Sequence, residues 1–172
     1  TFSEIVFSPF IHGDIKHLYH NSAPLFVLLF SLLYFYRGIA WKVFIYGTLC
    51  TGLLTWILAR KSYHIGASGI IYLLFSFIFF SGIIRRNYRL VAVSLMVIFL
   101  YGSMVWYLLP VKESVSWEGH LSGFLSGLVM AFIYRGTGPQ KFQYEWEKED
   151  YEPDEFDALF EERNDLNADL NP

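Results

Sequence analysis

Residues 64–84 read HIGASGIIYLLFSFIFFSGII. Small residues flank Ser68 on both sides, as Gly66-Ala67-Ser68-Gly69, and an apolar run follows directly. From Ser68 to Ile84 there are 17 residues, about 25 Å of α-helix at 1.5 Å per residue, somewhat less than the roughly 30 Å hydrocarbon core of a bilayer. A membrane helix that short can begin below the surface. The backbone before it, His64-Ile65-Gly66, would then be non-helical at membrane depth, which is tolerated only where it lines a cavity or lies buried in protein. The stretch therefore predicts a water-accessible pocket open to one side of the membrane. Gly66 and Gly69 permit unusual backbone angles and close approach. A helix starting near Ser68 also offers free N–H groups and the positive end of its dipole, a favourable place for negative charge to develop. Two readings fit this stretch taken alone: a catalytic serine, or a small-residue packing motif of the kind common in membrane helices.

Composition sets the fold class. The 172 residues are 54% hydrophobic, 20% aromatic and 17% charged, with a mean hydropathy of +0.36, which departs from the usage of soluble globular domains. The prediction is an all-α, polytopic transmembrane helix bundle whose surroundings are the lipid bilayer. The net charge of −3 hides an asymmetry: residues 1–140 carry ten Lys/Arg against four Asp/Glu, and residues 141–172 three against twelve. The two parts are expected to sit in different solvents. Cys50 lies inside an apolar run, has no second cysteine to pair with, and reads as a small packing residue. No nucleic-acid partner and no cofactor are expected. The chain opens on Thr1-Phe2-Ser3-Glu4 with no cleavable signal peptide visible, and a truncated N-terminus is expected.

Taken in order, residues 1–16 read as an external loop or interfacial segment, because Pro9, His12, Gly13 and Asp14 interrupt every apolar run. Residues 17–136 form the membrane domain, with spans at about 17–36, 43–59, 67–84, 90–109 and 117–134. Residues 137–172 make an acidic, solvated tail, with a short amphipathic helix possible around 154–166. Arg37, Lys42, Arg85, Arg86, Arg89, Arg135 and Lys141 fall on one side, against Lys16, Arg60, Lys61 and Lys112 on the other, so the positive-inside bias puts the C-terminus in the cytoplasm. Parity then places His17, Asn21, Ser68 and His120 in the outer half of the membrane.

Polar groups at that depth are costly and each needs a reason. A serine hydroxyl becomes a nucleophile when a base takes its proton, and His120 is the sole histidine of the last two spans. Gly119, Gly123 and Gly127 recur every fourth residue on its helix, a stripe that admits close approach of another backbone. The competing reading is an interfacial histidine beside a packing stripe. His17 and Asn21 share a helical face, and both can donate hydrogen bonds to an oxyanion. His12, His17 and His20 alternatively outline a metal site, yet the His-Glu-x-x-His motif of an intramembrane zinc protease is absent and no metal is expected. An aspartyl mechanism is disfavoured too, because no Asp occurs in the five spans and Glu118 stands alone at a helix end. Tyr72, one turn after Ser68, either packs or stacks on an imidazole placed beside the serine.

Taken together, Gly66-Ala67-Ser68-Gly69 with Tyr72, then Gly119-His120 followed by Gly123 and Gly127, preceded by His17-x-x-x-Asn21, resembles the rhomboid family of intramembrane serine proteases over about residues 1–136. The resemblance implies a Ser68 nucleophile and His120 general base without a carboxylate. It also implies an oxyanion hole from His17, Asn21 and the Ser68 N–H, with Tyr72 packed on His120. The implied reaction is cleavage of single-span membrane proteins near the outer face of a bacterial cell membrane, at sites with helix-weakening or small residues. Two departures stand out: five spans are visible of a six-helix core, so a helix before residue 1 is expected, and residues 1–16 lack the Trp-Arg pair of many members' first loop. The alternatives are a catalytically inactive relative that binds membrane helices, and a small transporter. The transporter fits less well, since the polar set stays in the outer half.

Overall fold

The computed structural model describes residues 9, 11–60, 66–100, 106–110, 116–139 and 163. Among them are five α-helices and no strand: α1 (Ile15–Phe35), α2 (Ala40–Leu58), α3 (Ser68–Ile84), α4 (Tyr88–Leu100) and α5 (Trp117–Ile133), with a 3-10 turn at Trp106–Leu108. The all-α prediction holds. The chain divides into two compact units, residues 1–141 and 142–172, and of the second only Arg163 is described. The expected helix at 154–166 and nearly all of the acidic tail lie outside the described residues, as do residues 1–8 of the N-terminal segment.

Local chemistry sets the helix ends. α1 starts two residues before the expected span because Asp14, in extended backbone with φ −158°, accepts a hydrogen bond from His17 N at 2.7 Å and satisfies one of the free donors of the first turn. α3 occupies 68–84, as its apolar run predicts. It ends in a tight reversal in which Arg86 takes φ 53° and Asn87 N donates to Gly82 O at 2.8 Å, starting α4 at Tyr88. The fourth predicted span, 90–109, is helical to Leu100; residues 101–105 lie outside the described residues, and the stretch resumes as the 3-10 turn.

α3 is the centre of the bundle. It packs against α1, α2, α4 and α5, while α5 also packs on α2 and α4 on α1. Its sequence is apolar all round, as a helix enclosed by others must be, and Leu73, Leu74, Phe77 and Ile78 are fully buried. The surrounding helices turn large apolar side chains outward instead, among them Phe30, Trp56, Phe99 and Phe132. A soluble monomer does not expose such a surface, and lipid removes the cost. α1 and α2 are each long and apolar enough to cross a membrane, whereas α3 and α4 are shorter apolar helices.

The end of the bundle remote from Ser68 is tied by one buried cation. Arg85 Nε donates to Ser81 Oγ at 3.0 Å, Tyr36 OH donates to the same oxygen at 2.8 Å, and Arg85 Nη2 donates to the carbonyls of Tyr134 and Thr137. Arg85 thus satisfies carbonyls that the C-terminus of α5 leaves open and links α1, α3 and α5.

Candidate active site

Ser68 is the first residue of α3, half-buried, with Ala67 as its N-cap. The turn before it depends on glycine. Gly66 has φ +103°, and a Cβ added there would lie 2.8 Å from both Cε1 and Nε2 of His17 and 3.3 Å from Asn21 Nδ2. The serine turn therefore rests directly on the face of α1 that carries His17 and Asn21. Asn21 is buried, and its Nδ2 has no hydrogen-bond partner among the described residues. His17 meets His12 edge to face at 5.3 Å, whereas His20 is exposed and meets Tyr19. Among the described residues no group of three His, Cys, Asp or Glu side chains is arranged to hold a metal.

The glycine stripe divides by function. A Cβ at Gly123 would run into the Gly69 carbonyl and Leu73 N, and one at Gly127 into the Leu73 carbonyl and Phe77 N, so α5 and α3 touch backbone to backbone there. Ser76 Oγ donates to Phe124 O at 2.7 Å across the same contact. Gly119 differs, because its missing side chain faces Ser116 and Thr55, although its carbonyl lies beside Gly69. This close crossing delivers the buried His120 to the serine, with Nε2 2.9 Å from Ser68 Oγ.

The second ring nitrogen determines what the first can do. His120 Nδ1 lies 2.8 Å from the backbone carbonyl of Tyr107, in the 3-10 turn. A carbonyl only accepts, so Nδ1 carries the proton and Nε2 presents its lone pair to the Ser68 hydroxyl. The ring of Tyr72 stacks on the imidazole at 4.4 Å with 21° between planes. Glu118 does not stand alone at its helix end as the sequence led us to expect: Arg60 Nε lies 3.1 Å from its Oε1. The two residues are far apart in sequence, and neither carries a motif that announces the pair. Sequence reasoning also missed the Tyr107 carbonyl, since a backbone acceptor has no side-chain signature, and the ring contact of His12 with His17.

The rhomboid domain family matches residues 1–137. This chain belongs to the rhomboid family. It is therefore an integral membrane protein, and the family consists in general of intramembrane serine proteases. Among curated relatives, an uncharacterized protein of Mycobacterium tuberculosis is 34% identical over 139 residues, covering 75% of this chain and 58% of the relative. One of Mycobacterium leprae is 33% identical over 143 residues, covering 75% and 55%. The chain thus spans less than three fifths of the length of these relatives. No solved structure matches the chain significantly.

Proposed function

We propose that this rhomboid chain is an intramembrane serine endopeptidase that cleaves single-span membrane proteins near the outer face of a cell membrane, with Ser68 as nucleophile and His120 as general base. The observation that carries the reading is the 2.9 Å approach of His120 Nε2 to Ser68 Oγ with Nδ1 held by a carbonyl, which leaves Nε2 free to accept the serine proton. Ser68 Oγ attacks the scissile carbonyl as its proton passes to Nε2. The imidazolium then returns that proton to the leaving amine, and water enters to release the acyl group by the same exchange. The negative oxygen formed on attack is placed at the start of α3, where the Ser68 N–H, His17 and the unpartnered Nδ2 of Asn21 supply donors. Tyr72 and the Tyr107 carbonyl hold the imidazole in place of a third, carboxylate member. A peptide bond inside an intact helix is closed to attack, so substrates carry small or helix-weakening residues near the cut.

The test is a fluorophosphonate probe on the folded, detergent-solubilised chain. A covalent adduct that disappears in Ser68→Ala and in His120→Ala, together with loss of reporter cleavage in both, is the expected result. No serine-dependent adduct on folded protein would instead identify a relative that binds membrane helices without cutting them.

A further inference from the structure

The outer ends of α2 and α5 are joined by an ion pair that takes no part in the proton transfer above. Arg60 Nε stands 3.1 Å from Glu118 Oε1; the guanidinium side chain is 40% exposed, the carboxylate side chain 5%. Glu118 lies in the first turn of α5, two residues before His120. Arg60 follows Ala59, the C-cap of α2, and the connection 61–67 leads from it to Ser68. The pair therefore ties the end of α2, from which the sequence leads on to Ser68, to the helix that carries His120.

A buried carboxyl group is costly to desolvate, and a close cation together with the positive end of a helix offsets that cost. Glu118 has Arg60 at 3.1 Å and lies in the first turn of α5. Its second oxygen, Oε2, is buried with no hydrogen-bond partner among the described residues, so Arg60 is the partner the structure gives this carboxyl group. The reaction has no place for this group as a triad member, because Nδ1 of His120 is already held by the Tyr107 carbonyl. α2 is also wedged against both partners below the pair: Thr51 lies beside the Gly69 position and Thr55 beside Gly119. The ion pair extends that wedge to the level where α2 ends and the serine connection starts.

We propose that Arg60 and Glu118 are positioning residues: their ion pair anchors the end of α2, which precedes the Ser68 turn in the chain, to the first turn of the His120 helix, and so sets the approach of nucleophile and base. The proposal rests on the Ser68–His120 reading for its kinetic consequence but not for its structural one. The full chain is compared as wild type, Arg60→Gln, Glu118→Gln, the double variant and Arg60→Lys. Hydrogen exchange of the 66–69 amides, the rate of fluorophosphonate labelling, and kcat and KM on a reporter span are measured for each. Arg60→Gln is expected to speed exchange at 66–69 on the order of tenfold. It is also expected to lower kcat and labelling on the order of tenfold to a hundredfold, with KM changed by less than about twofold, because misplacement of reacting groups acts on the chemical step. The double variant recovers part of that loss, since it no longer leaves a buried charge without its partner. Arg60→Lys, which keeps the charge, retains more activity than Arg60→Gln and provides the comparison should Arg60→Gln fail to fold. Unchanged exchange at 66–69 in Arg60→Gln, or losses of the two single variants that add in full in the double variant, overturns the proposal. A wild-type chain inert to the probe whose 66–69 exchange still responds to Arg60→Gln would overturn the protease reading and leave the positioning pair standing.

Discussion

Gly66 shows how much of the candidate site can rest on a missing side chain. Its φ of +103° and the 2.8 Å spacing to the His17 ring are two separate demands, one on the backbone and one on space, and alanine violates both. Gly66→Ala should therefore cost about 1–3 kcal/mol of local strain and push the serine turn off α1. The expected result is a large fall in probe labelling with the helix content of the bundle unchanged, read by circular dichroism on the same sample. Tyr72 makes a gentler demand. Its ring must lie flat on the imidazole at 4.4 Å, so Tyr72→Phe should keep most of kcat whereas Tyr72→Ala should lower it roughly tenfold to a hundredfold by freeing the base to reorient. A steady-state comparison of the two variants on one reporter decides the matter; equal losses would point to the hydroxyl instead of the stack. At this scale the sequence was informative about which uncommon side chains meet, as Ser68, His120 and Tyr72 do. It was silent on the Tyr107 carbonyl, which any residue at that position would supply, and on the Arg60–Glu118 pair, whose members meet only through the fold.

Helices α3 and α5 cross closely because glycines on both sides let the backbones touch. Gly127 and Gly136 make an internal comparison: a Cβ at Gly127 would collide with the Leu73 carbonyl and Phe77 N, whereas nothing lies within 4 Å of one at Gly136. Gly127→Ala should destabilise by about 1–3 kcal/mol through overpacking and widen the separation of His120 from Ser68. Gly136→Ala should stay within about 0.5 kcal/mol of wild type. Thermal melting with parallel probe labelling checks both. Ser76→Ala, which removes the hydrogen bond to Phe124 O, should cost only about 0.6 kcal/mol, the average for such bonds between membrane helices. The extents of α3 and α5 were legible because apolar runs bounded by glycine, proline or charge mark helices reliably. The fourth span was less so: its apolar composition runs on past Leu100 to Leu109, yet the chain there makes a 3-10 turn that brings a carbonyl to His120. Apolar composition predicts burial in lipid or protein, not the hydrogen-bonding pattern within it.

For the molecule as a whole, the division of labour between the two ends follows from charge. Among the described residues of 1–140 the carboxylates Asp14 and Glu118 lie at the end that carries Ser68, while Arg85, Arg86, Arg89 and Arg135 gather at the other. Five helices among the described residues put Lys16 and Arg135 at opposite ends of the bundle. The basic end is held by Arg85, whose loss should lower Tm, because the carbonyls of Tyr134 and Thr137 and the Ser81 hydroxyl would all lose a buried donor. The same charge distribution, through the positive-inside bias, carries the proposal that the basic end faces the cytoplasm and the dyad the exterior. Lys16 and Arg135 are both exposed, and Cys50, the one native cysteine, is half-buried against the apolar core. In a Cys50→Ser background, a membrane-impermeant maleimide applied to intact cells should label Lys16→Cys at once and Arg135→Cys only after permeabilisation. The reverse pattern would place the dyad in the cytoplasm and require substrates to be cut from inside. That outcome would leave the geometry of Ser68 and His120 untouched, since the site depends on how α3 and α5 cross, whereas its exposure to one compartment depends on which end of the bundle holds the arginines.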